Sequence, residues 1–350
     1  MKCIYILFDC RLDDNDKSWL IEGLDIENYT VIASGMPVRL TDLIKEGPIG
    51  RLKSYYLQIK QAFHILYVSN KSDIIIVWYS VTGQIISILS SLFGHRNMVL
   101  MNFLTPTKRN GILGWVVKQT VSNPRNNILV NSIESEKQYR DIYGLNTDKC
   151  ARFHYFPDVY DNAEKFINPE DRIIENRYFF SGGMSNRDWK LLTKVAQRLP
   201  HFKFVCCALQ NDFDSQVEII PDNMEVYYNI SSELYYKLMC DSYCVLLPLK
   251  NNSVSGLINI LKAIQMGVPC YVSNIPGTKQ YYSKNASHFL LQNNVESWVE
   301  GVCAINTLSA DKYVSVVKEL QDYINKNFSP ESALNRMKNI LDMNILSTNI

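Results

Sequence analysis

Short apolar runs alternate with helix-length segments along almost the whole chain. Runs such as Ile74–Tyr79 and Phe202–Ala208 are each followed by a segment long enough for a helix. Strands that are apolar throughout, rather than at alternate positions, are buried on both faces. Their alternation with helices predicts an α/β fold built on parallel sheets. The predicted strands are Lys2–Phe8, Tyr29–Ser34, Ile74–Tyr79, Asn97–Leu104, Asn127–Asn131, Ala151–Phe156, Arg177–Ser181, Phe202–Ala208, Met224–Tyr228, Tyr243–Leu247 and Pro269–Val272.

The helical period is clearest in Arg51–Val68. Apolar residues recur there at intervals of three and four, which places them on one stripe of a helix. Helix ends are also marked, because Gly144 follows a predicted helix as a C-cap, and Ser231 and Ser232 are candidate N-caps of another. The stripe of Arg51–Val68 consists of Leu52, Tyr55, Tyr56, Ile59, Phe63 and Leu66.

The pattern of strands and helices occurs twice, which predicts two domains. The chain has 350 residues, more than a single core usually supports. Residues 157–176 separate the halves and are rich in Asp, Asn, Glu and Pro, as linkers are. We therefore expect two Rossmann-like, doubly wound domains, 1–160 and 161–329. They would face a cleft that binds ligand at the carboxyl ends of the strands.

Composition narrows the possible functions. The formal net charge of +1 gives no indication of a nucleic-acid partner. Nine scattered cysteines without a CxxC pair indicate reduced thiols and a cytoplasmic protein. Cys240 and Cys244 have only Asp241 beside them, so we predict no metal site. The apolar start Cys3–Phe8 is too short for a signal peptide.

One uncharged stretch, Ile74–Phe93, covers 20 residues and is long enough to span a bilayer. Its middle, Ser80 to Gln84, has the small and polar residues of a strand-to-helix junction. We expect a buried strand and a covering helix here rather than a transmembrane helix.

Positive charge is concentrated between Arg51 and Arg125. This segment holds nine Lys or Arg and one acid, Asp73, for a net charge of +8. Within it, residues 108–119 (KRNGILGWVVKQ) place basic side chains around an apolar patch that includes Trp115. Such a patch suits the surface of an anionic membrane leaflet. A solvated helix face gives the same pattern, so both interpretations stay open at this point.

The first candidate site is FFSGGMSNRDW (179–189), where a predicted strand ends and a helix follows. Gly182 and Gly183 would let the backbone approach a ligand closely. Together with Arg187, the amides of this loop could clamp a diphosphate. The alternative is a tight turn whose arginine faces water.

The second candidate site is the start of the predicted helix Gly256–Met266. A polar loop precedes this helix, and the amides at a helix N-terminus favour anions. Asn259 and Lys262 are three residues apart and share a helix face that we expect near the cleft. The candidate ligand contacts in this segment are Ser253, Ser255, Gly256, Leu257, Asn259 and Lys262.

Three segments together resemble the C-terminal half of GT-B glycosyltransferases of family 4. FSGGMSNRDWKLL (180–192) is similar to that family's phosphate loop, in which a basic residue follows a glycine pair. SELYYKLMCDSYCVLLPL (232–249) is similar to its lead-in to the donor site, and SGLINILKAIQMGVPCYVSNIPG (255–277) to its donor helix and following strand. The resemblance covers 177–290, and 1–156 only as topology. It also implies that the last helix, 330–345, packs back on the first domain.

The resemblance implies a metal-independent, retaining hexosyltransferase. Its donor would be a UDP- or GDP-sugar, with no separate cofactor, and its acceptor a glycan or polyprenyl-linked glycan in surface polysaccharide synthesis. The donor would bind the C-terminal domain, with the diphosphate between Gly183, Arg187 and the helix start. The base would stack near Asn211 or near Tyr228–Ile230, which includes Asn229. The acceptor would bind the N-terminal domain, at the cytoplasmic face of the membrane.

Two features depart from the family's pattern. Its enzymes typically carry two glutamates around the donor helix, the second of which accepts hydrogen bonds from the ribose hydroxyls. Val254 and Lys262 occupy those positions here. Lysine only donates, so Lys262 contacts phosphate instead, or ribose recognition has moved, or the site is inactive. The second departure is the missing catalytic base, because no histidine lies in a catalytic motif. Asp9, which follows the first strand, is the best acidic candidate. The alternative is that Asp9 belongs to a solvated acidic loop with Asp13, Asp14 and Asp16.

Two other functions stay open. A degenerate transferase-like subunit would bind a partner or a glycan without catalysis, which Val254 and Lys262 favour. A sugar-nucleotide epimerase would share the two-domain plan. It would also need acid and base residues at the donor sugar, and no His or carboxylate pair is evident near the loops of the second domain.

Overall fold

A computed structural model of the chain describes residues 2–12, 18–27, 29–78, 80–94, 97–103, 110–145, 149–160, 178–183, 185–250 and 257–348. Contacts divide the chain into two compact units: Met1–Pro157 with Pro330–Ile350, and Asp158–Ser329. Most of the predicted linker, 161–176, lies outside the described residues.

The first unit is a parallel sheet of six strands with covering helices. Its strands are β1 (Lys2–Leu7), β2 (Tyr29–Ser34), β3 (Ile74–Val77), β4 (Asn97–Phe103), β5 (Asn126–Val130) and β6 (Arg152–Tyr155). Its helices before the linker are α1 (Ser18–Gly23), α2 (Leu40–Lys45), α3 (Pro48–Val68), α4 (Ser80–Phe93), α5 (Gly111–Ser122) and α6 (Ile133–Tyr143).

The second unit repeats the design with another six-stranded parallel sheet. Its strands are β7 (Tyr178–Gly183), β8 (Lys203–Ala208), β9 (Met224–Tyr228), β10 (Cys244–Leu247), β11 (Cys270–Ser273) and β12 (Leu290–Leu291). Its helices are α7 (Trp189–Arg198), α8 (Gln210–Asp214), α9 (Ser232–Cys240), α10 (Ile258–Gln265), α11 (Val295–Asn306) and α12 (Ala310–Phe328). The last helix, α13 (Pro330–Thr348), contacts α1 and belongs to the first unit.

Both sheets contain a point at which the chain changes direction. The strand orders are β2-β1-β3-β4-β5-β6 and β12-β11-β10-β7-β8-β9. In the second sheet, β7 lies between β8 and β10. The chain adds β8 and β9 on one side of β7 and then adds β10 on its other side. Open α/β sheets bind ligands outside the carboxyl ends of the strands at such a switch point.

The uncharged stretch Ile74–Phe93 forms a strand and a helix, as predicted. All four residues of β3 are buried in the sheet, and α4 follows it. No helix in the described ranges is long and apolar enough to cross a membrane.

The predicted C-cap Gly144 and the N-cap candidate Ser231 are confirmed, whereas the other N-cap candidate, Ser232, is the first residue of α9. Gly144 ends α6 in the left-handed conformation, with φ 61°. The Ser231 hydroxyl accepts a hydrogen bond from the Leu234 amide at 3.2 Å and caps α9. The short helices α2 and α8 were not predicted, because neither is long enough to show a period.

The apolar stripe of α3 faces away from the core. The buried side of the helix is formed by small and polar residues together with Ile65: Gly50, Ser54, Gln58, Ala62 and Ile65. Gln58 donates to the Ser54 hydroxyl at 3.0 Å and accepts from Thr82 of α4 at 3.3 Å. Leu52, Tyr56 and Phe63 of the stripe are exposed. The period predicted the helix but did not predict which side is buried.

Candidate functional site

A cavity of 560 Å³ opens in the second unit, at the carboxyl ends of β7, β8 and β9. Its size is within the range of small-molecule sites. It lies beside the switch point between β7 and β10, and α9 and α10 form its other walls. The described residues that line it are Gly183, Ser185, Cys207, Ala208, Leu209, Tyr227, Asn229, Ile230, Ser232, Tyr235, Tyr236, Ile258 and Asn259.

The glycine pair at the end of β7 makes room for two other side chains. A Cβ on Gly182 would lie 2.7 Å from the Tyr235 hydroxyl, and a Cβ on Gly183 would lie 2.7 Å from Nη2 of Arg187. Gly183 also has φ 149°, which side-chain-bearing residues rarely adopt. The pair therefore lets Tyr235 pack on one glycine and Arg187 on the next.

Arg187 lies beneath this turn and is completely buried, with 0% exposure. Its Nε donates to the Gly182 carbonyl oxygen at 2.9 Å and its Nη1 to that of Ser185 at 3.4 Å. Burial lowers the pKa of the guanidinium, and Asp212 is among the groups that act in the opposite direction. Arg187 is thus not part of the cavity lining; it contacts the backbone that forms the lining.

Backbone hydrogen bonds join the loops that follow β7 and β10. The Asp188 amide donates to the Pro248 carbonyl oxygen at 2.9 Å, and the Lys250 amide donates to that of Asn186 at 3.2 Å. The Lys250 ammonium also pairs with the Asp212 carboxylate at 3.0 Å. The two loops at the switch point therefore form one connected structure, which fixes the turn that carries the glycine pair.

Asn259 connects three elements at the base of the cavity. It lies in the first turn of α10 and is 9% exposed. Its side-chain amide donates to the Gly182 carbonyl oxygen at 3.3 Å and to the Tyr235 hydroxyl at 3.0 Å. Burial raises the pKa of Tyr235 far above its ordinary value, so this hydroxyl stays neutral. The result is a hydrogen-bond network from β7 through α10 to α9.

Lys262 reaches the cavity wall through Tyr236. The Lys262 ammonium donates to the Tyr236 hydroxyl and lies 4.6 Å from the centre of its ring. Tyr236 packs edge-on against Tyr235, with ring centroids 5.4 Å apart. Lys262 itself is not among the lining residues. Its cation therefore acts on the site through the orientation of a tyrosine hydroxyl.

The described lining contains no acidic or basic side chain, and burial raises the pKa of the Cys207 thiol to about 12. Among the residues that the structure describes, Arg187 and Lys262 place cations one layer behind the wall. A neutral cavity with positive charge behind it favours an anionic ligand over a cationic one.

The structure brings some of the predicted site residues together. Gly183, Asn229 and Asn259 line the cavity, and Gly182 lies directly behind it. Asn229 has φ 53°, which turns the chain at the end of β9.

Other predicted site residues lie elsewhere or outside the description. Asn211 is exposed on α8, Leu257 is buried at the start of α10, and Tyr228 donates to Asp214 at 3.1 Å. None of these three is among the lining residues. Asp9 follows β1 in the first unit and is partly buried. Four positions lie outside the described residues: Ser253, Val254, Ser255 and Gly256. Aspartates 13, 14 and 16 of the predicted acidic loop also lie outside them.

Sequence reasoning did not identify the tyrosine pair Tyr235 and Tyr236 as part of the site. Adjacent tyrosines on a helix point in different directions, and a single sequence does not show which neighbours they meet. One signal was present, since both follow the N-cap Ser231 by one turn. The first turn of a helix after a strand lies at the carboxyl edge of a parallel sheet, where sites form.

No protein-family model matches the sequence, and no curated protein sequence matches it. Solved structures do match over nearly the whole chain. A UDP-forming α,α-trehalose-phosphate synthase from Burkholderia xenovorans matches with a TM-score of 0.69 at 10% identity, over 100% of both chains. Alr3699/HepE from Anabaena, in complex with UDP, has a TM-score of 0.68 at 14% identity, over 98% of this chain and 100% of that one. Apo OtsA has a TM-score of 0.69 at 10% identity, over 97% of this chain and 99% of that one.

The chain has the GT-B fold. Two α/β units with parallel six-stranded sheets are present, as predicted, and the matched structures share this architecture from end to end. At 10% to 14% identity the likeness concerns the fold alone. Membership of family 4 stays a prediction.

Proposed function

We propose that the protein is a glycosyltransferase of family 4 that binds a nucleotide-diphosphate sugar in the cavity of its second unit. One observation carries the proposal: a neutral cavity lies at the switch point of the second sheet, with the buried Arg187 guanidinium held under the Gly182–Gly183 turn. Backbone amides and a cation behind them suit a diphosphate. Two matched structures, one bound with UDP-2-fluoro glucose and one in complex with UDP, support the same ligand class.

The donor is proposed to be a UDP-sugar rather than a GDP-sugar. Guanine presents adjacent N–H donors, which proteins commonly pair with a carboxylate. The described lining offers no carboxylate, but it offers Asn229 and backbone groups at the ends of β8 and β9. Uracil, with one N–H between two carbonyl oxygens, suits such neutral partners.

In the proposed reaction, the bond between the sugar C1 and the β-phosphate oxygen breaks, and the electron pair leaves with UDP. The acceptor oxygen bonds to C1, and its proton passes to a phosphate oxygen or to a base, for which Asp9 stays the candidate. Positioning and stabilisation of the departing diphosphate would supply most of the rate enhancement. Retention of configuration, independence of metal and transfer of a hexose are part of this proposal.

The acceptor is proposed to be a glycan or polyprenyl-linked glycan that the first unit binds, at the cytoplasmic membrane face, in surface polysaccharide synthesis. The net charge of +8 over 51–125 supports contact with an anionic leaflet. Ile112, Leu113 and Trp115 at the start of α5 are exposed, as the membrane interpretation of 108–119 requires. A solvated face stays the alternative for this segment.

A second candidate function is a binding subunit without catalysis. The observation that favours it is the contact of Lys262 with Tyr236, which places a cation where family 4 enzymes carry a ribose-binding carboxylate. An epimerase is the weaker alternative, because the described cavity lining holds no acid or base pair for proton transfer at a sugar.

UDP should raise the unfolding temperature of the protein, and GDP should do so less. Ligand that binds only the folded state stabilises it by about 2.7 kcal/mol at a hundredfold excess over Kd. Ser232→Trp should abolish the shift, because Ser232 is an exposed lining residue and an indole there would fill the cavity mouth. The measurement is a thermal-shift titration with UDP, GDP, ADP and TDP.

Thr307→Trp is the matched control, since Thr307 is exposed at the end of α11 and does not line the cavity. Its UDP response should equal that of the wild type. A UDP shift without release of UDP from any UDP-sugar and acceptor would favour the binding subunit. The absence of a shift with every nucleotide would remove the donor site from the cavity.

Lys262→Met and Tyr236→Phe should each weaken UDP binding by about threefold to tenfold, and the double variant should be no weaker than either single one. A hydroxyl whose oxygen accepts from an ammonium meets a ligand as a donor, and the ribose oxygens are its proposed partners. If the lysine acts only through the tyrosine, the two effects are not additive. Calorimetric titration with UDP measures all three constants.

Lys237→Met is the control, because this neighbouring lysine of α9 is exposed and pairs with Asp241 at 3.1 Å. Additive losses in the double variant would mean that Lys262 contacts the nucleotide itself.

A further inference from the structure

The outer side of α3 is exposed and apolar. The helix packs against the rest of the first unit mainly through small and polar residues. The residues of this surface, called the α3 face below, are Ile49, Leu52, Tyr55, Tyr56, Ile59, Phe63 and Tyr67. Leu52 is 70% exposed, Tyr56 65% and Tyr67 90%. Single exposed apolar residues are normal, but a continuous row of them marks an interaction site.

The row is continuous because of the helix geometry. At 3.6 residues per turn, Leu52, Tyr56, Ile59 and Phe63 fall on one stripe, nearly opposite the buried Ser54–Ala62 side. From Leu52 to Phe63 the stripe is about 17 Å long. At its far end, Phe63 meets Phe93 of α4, whose ring is also exposed, with centroids 6.4 Å apart.

The exposed charges on α3 itself are positive. Lys53 and Lys60 are exposed, lie seven residues apart and border the same edge of the stripe. Between Arg51 and Arg125 the one acid, Asp73, is fully buried and accepts from the Cys3 and Asn70 amides. The described exposed charges of this whole segment are therefore cationic.

We infer that the α3 face lies on an anionic lipid bilayer, with its apolar and tyrosine side chains at the interface and Lys53 and Lys60 among the headgroups. Tyrosine is favoured at membrane–water interfaces, and each basic residue near an anionic leaflet adds attraction. A helix with an apolar side and lysines at its edge lies in the plane of the interface. This inference deepens the proposed membrane contact of 51–125 and rests on it, but it does not depend on the donor reaction.

Charge complementarity distinguishes the bilayer from a second copy of the chain. A two-fold symmetric dimer through this face would place the exposed cationic surface of one copy against the same cationic surface of the other. The α3 face also differs from the predicted membrane patch around Trp115, which is a single turn of α5. The bilayer contact therefore centres on α3, and Trp115 is an additional contact.

The test is co-sedimentation of the full chain with phosphatidylcholine vesicles that contain or lack phosphatidylglycerol. Wild type should bind the anionic vesicles and lose binding in high salt. Leu52→Glu with Tyr56→Glu should weaken binding about tenfold or more, and Trp115→Glu should weaken it less. Both α3 positions are exposed, so the fold should survive, and an unchanged UDP thermal shift should show that it does.

Ile219→Glu with Val314→Glu is the matched control, because it adds the same charges at exposed apolar residues of the second unit. Its vesicle binding should equal that of the wild type. Equal loss in both double variants, or no binding of the wild type to anionic vesicles, would overturn the inference. So would a wild-type dimer, seen by light scattering without lipid, that Leu52→Glu with Tyr56→Glu dissociates. If UDP does not raise the unfolding temperature of the wild type, that result contradicts the proposed donor site and not the membrane contact.

Discussion

Replacing Arg187 with methionine should raise the Kd for UDP at least about tenfold and leave the unliganded protein close to wild-type stability. The guanidinium is completely buried and donates to the carbonyl oxygens of Gly182 and Ser185. Burial disfavours its charge, as the lowered pKa indicates. Methionine fills a similar volume without that cost, and the Gly182 oxygen still accepts from Asn259. A bound diphosphate, however, loses the cation behind the glycine pair.

Two measurements separate binding from folding: calorimetric titration with UDP, and thermal unfolding without ligand. Arg198→Met makes the same side-chain change at the end of α7, where the arginine is exposed and lies 3.8 Å from Glu296. It should leave both quantities unchanged, since exposed ion pairs contribute little. A stable Arg187→Met variant with unaltered Kd would exclude Arg187 from the donor site. A variant that unfolds well below wild type would make Arg187 a structural residue.

Gly183→Ala should destabilise the second unit by about 3 kcal/mol and abolish measurable UDP binding. The new Cβ would lie 2.7 Å from Nη2 of Arg187, and the guanidinium is held by its own hydrogen bonds and cannot move aside. The backbone at φ 149° adds strain for any residue with a side chain. Displacement of the turn would also shift Gly183 and Ser185, which line the cavity.

A double-mutant cycle tests the physical cause. In an Arg187→Ala background the steric conflict is absent, so Gly183→Ala should cost only the backbone strain, about 1–2 kcal/mol. Urea unfolding of the four proteins measures the coupling. Gly144→Ala is the control, because Gly144 also has positive φ, at 61°, with nothing within 4 Å of the added Cβ. Equal losses from Gly183→Ala in both backgrounds would show that Arg187 does not limit this position.

Most of the fold could be predicted from the sequence because its signals are local. Strands β3, β10 and β11 lie within two residues of their predicted ranges, since a strand buried on both faces is apolar without interruption. The caps at Gly144 and Ser231 could be predicted for the same reason, because each depends on the backbone and side chain of one residue.

The candidate site could be predicted only in part. The glycine pair and Asn259 were identified because glycine and a helix start have local meanings. Arg187 was expected to clamp a ligand or face water, and it does neither directly, since Gly183 leaves space for its side chain to fold beneath the turn. The contact of Lys262 with Tyr236 joins residues 26 positions apart, and no local pattern records it.

The sequence by itself determined the order of strands and helices, the doubling of the α/β unit and the position of the glycine turn, because these follow from local burial and backbone preference. Tertiary structure alone decided which side of each helix is buried. In α3 the side with small and polar residues is buried, where Gln58 bonds to Thr82 of α4 and Gly50 lies against Leu43 of α2. The apolar stripe is left outside. Tertiary structure also decided where the cations lie, because the position of a long side chain depends on the space that its neighbours leave.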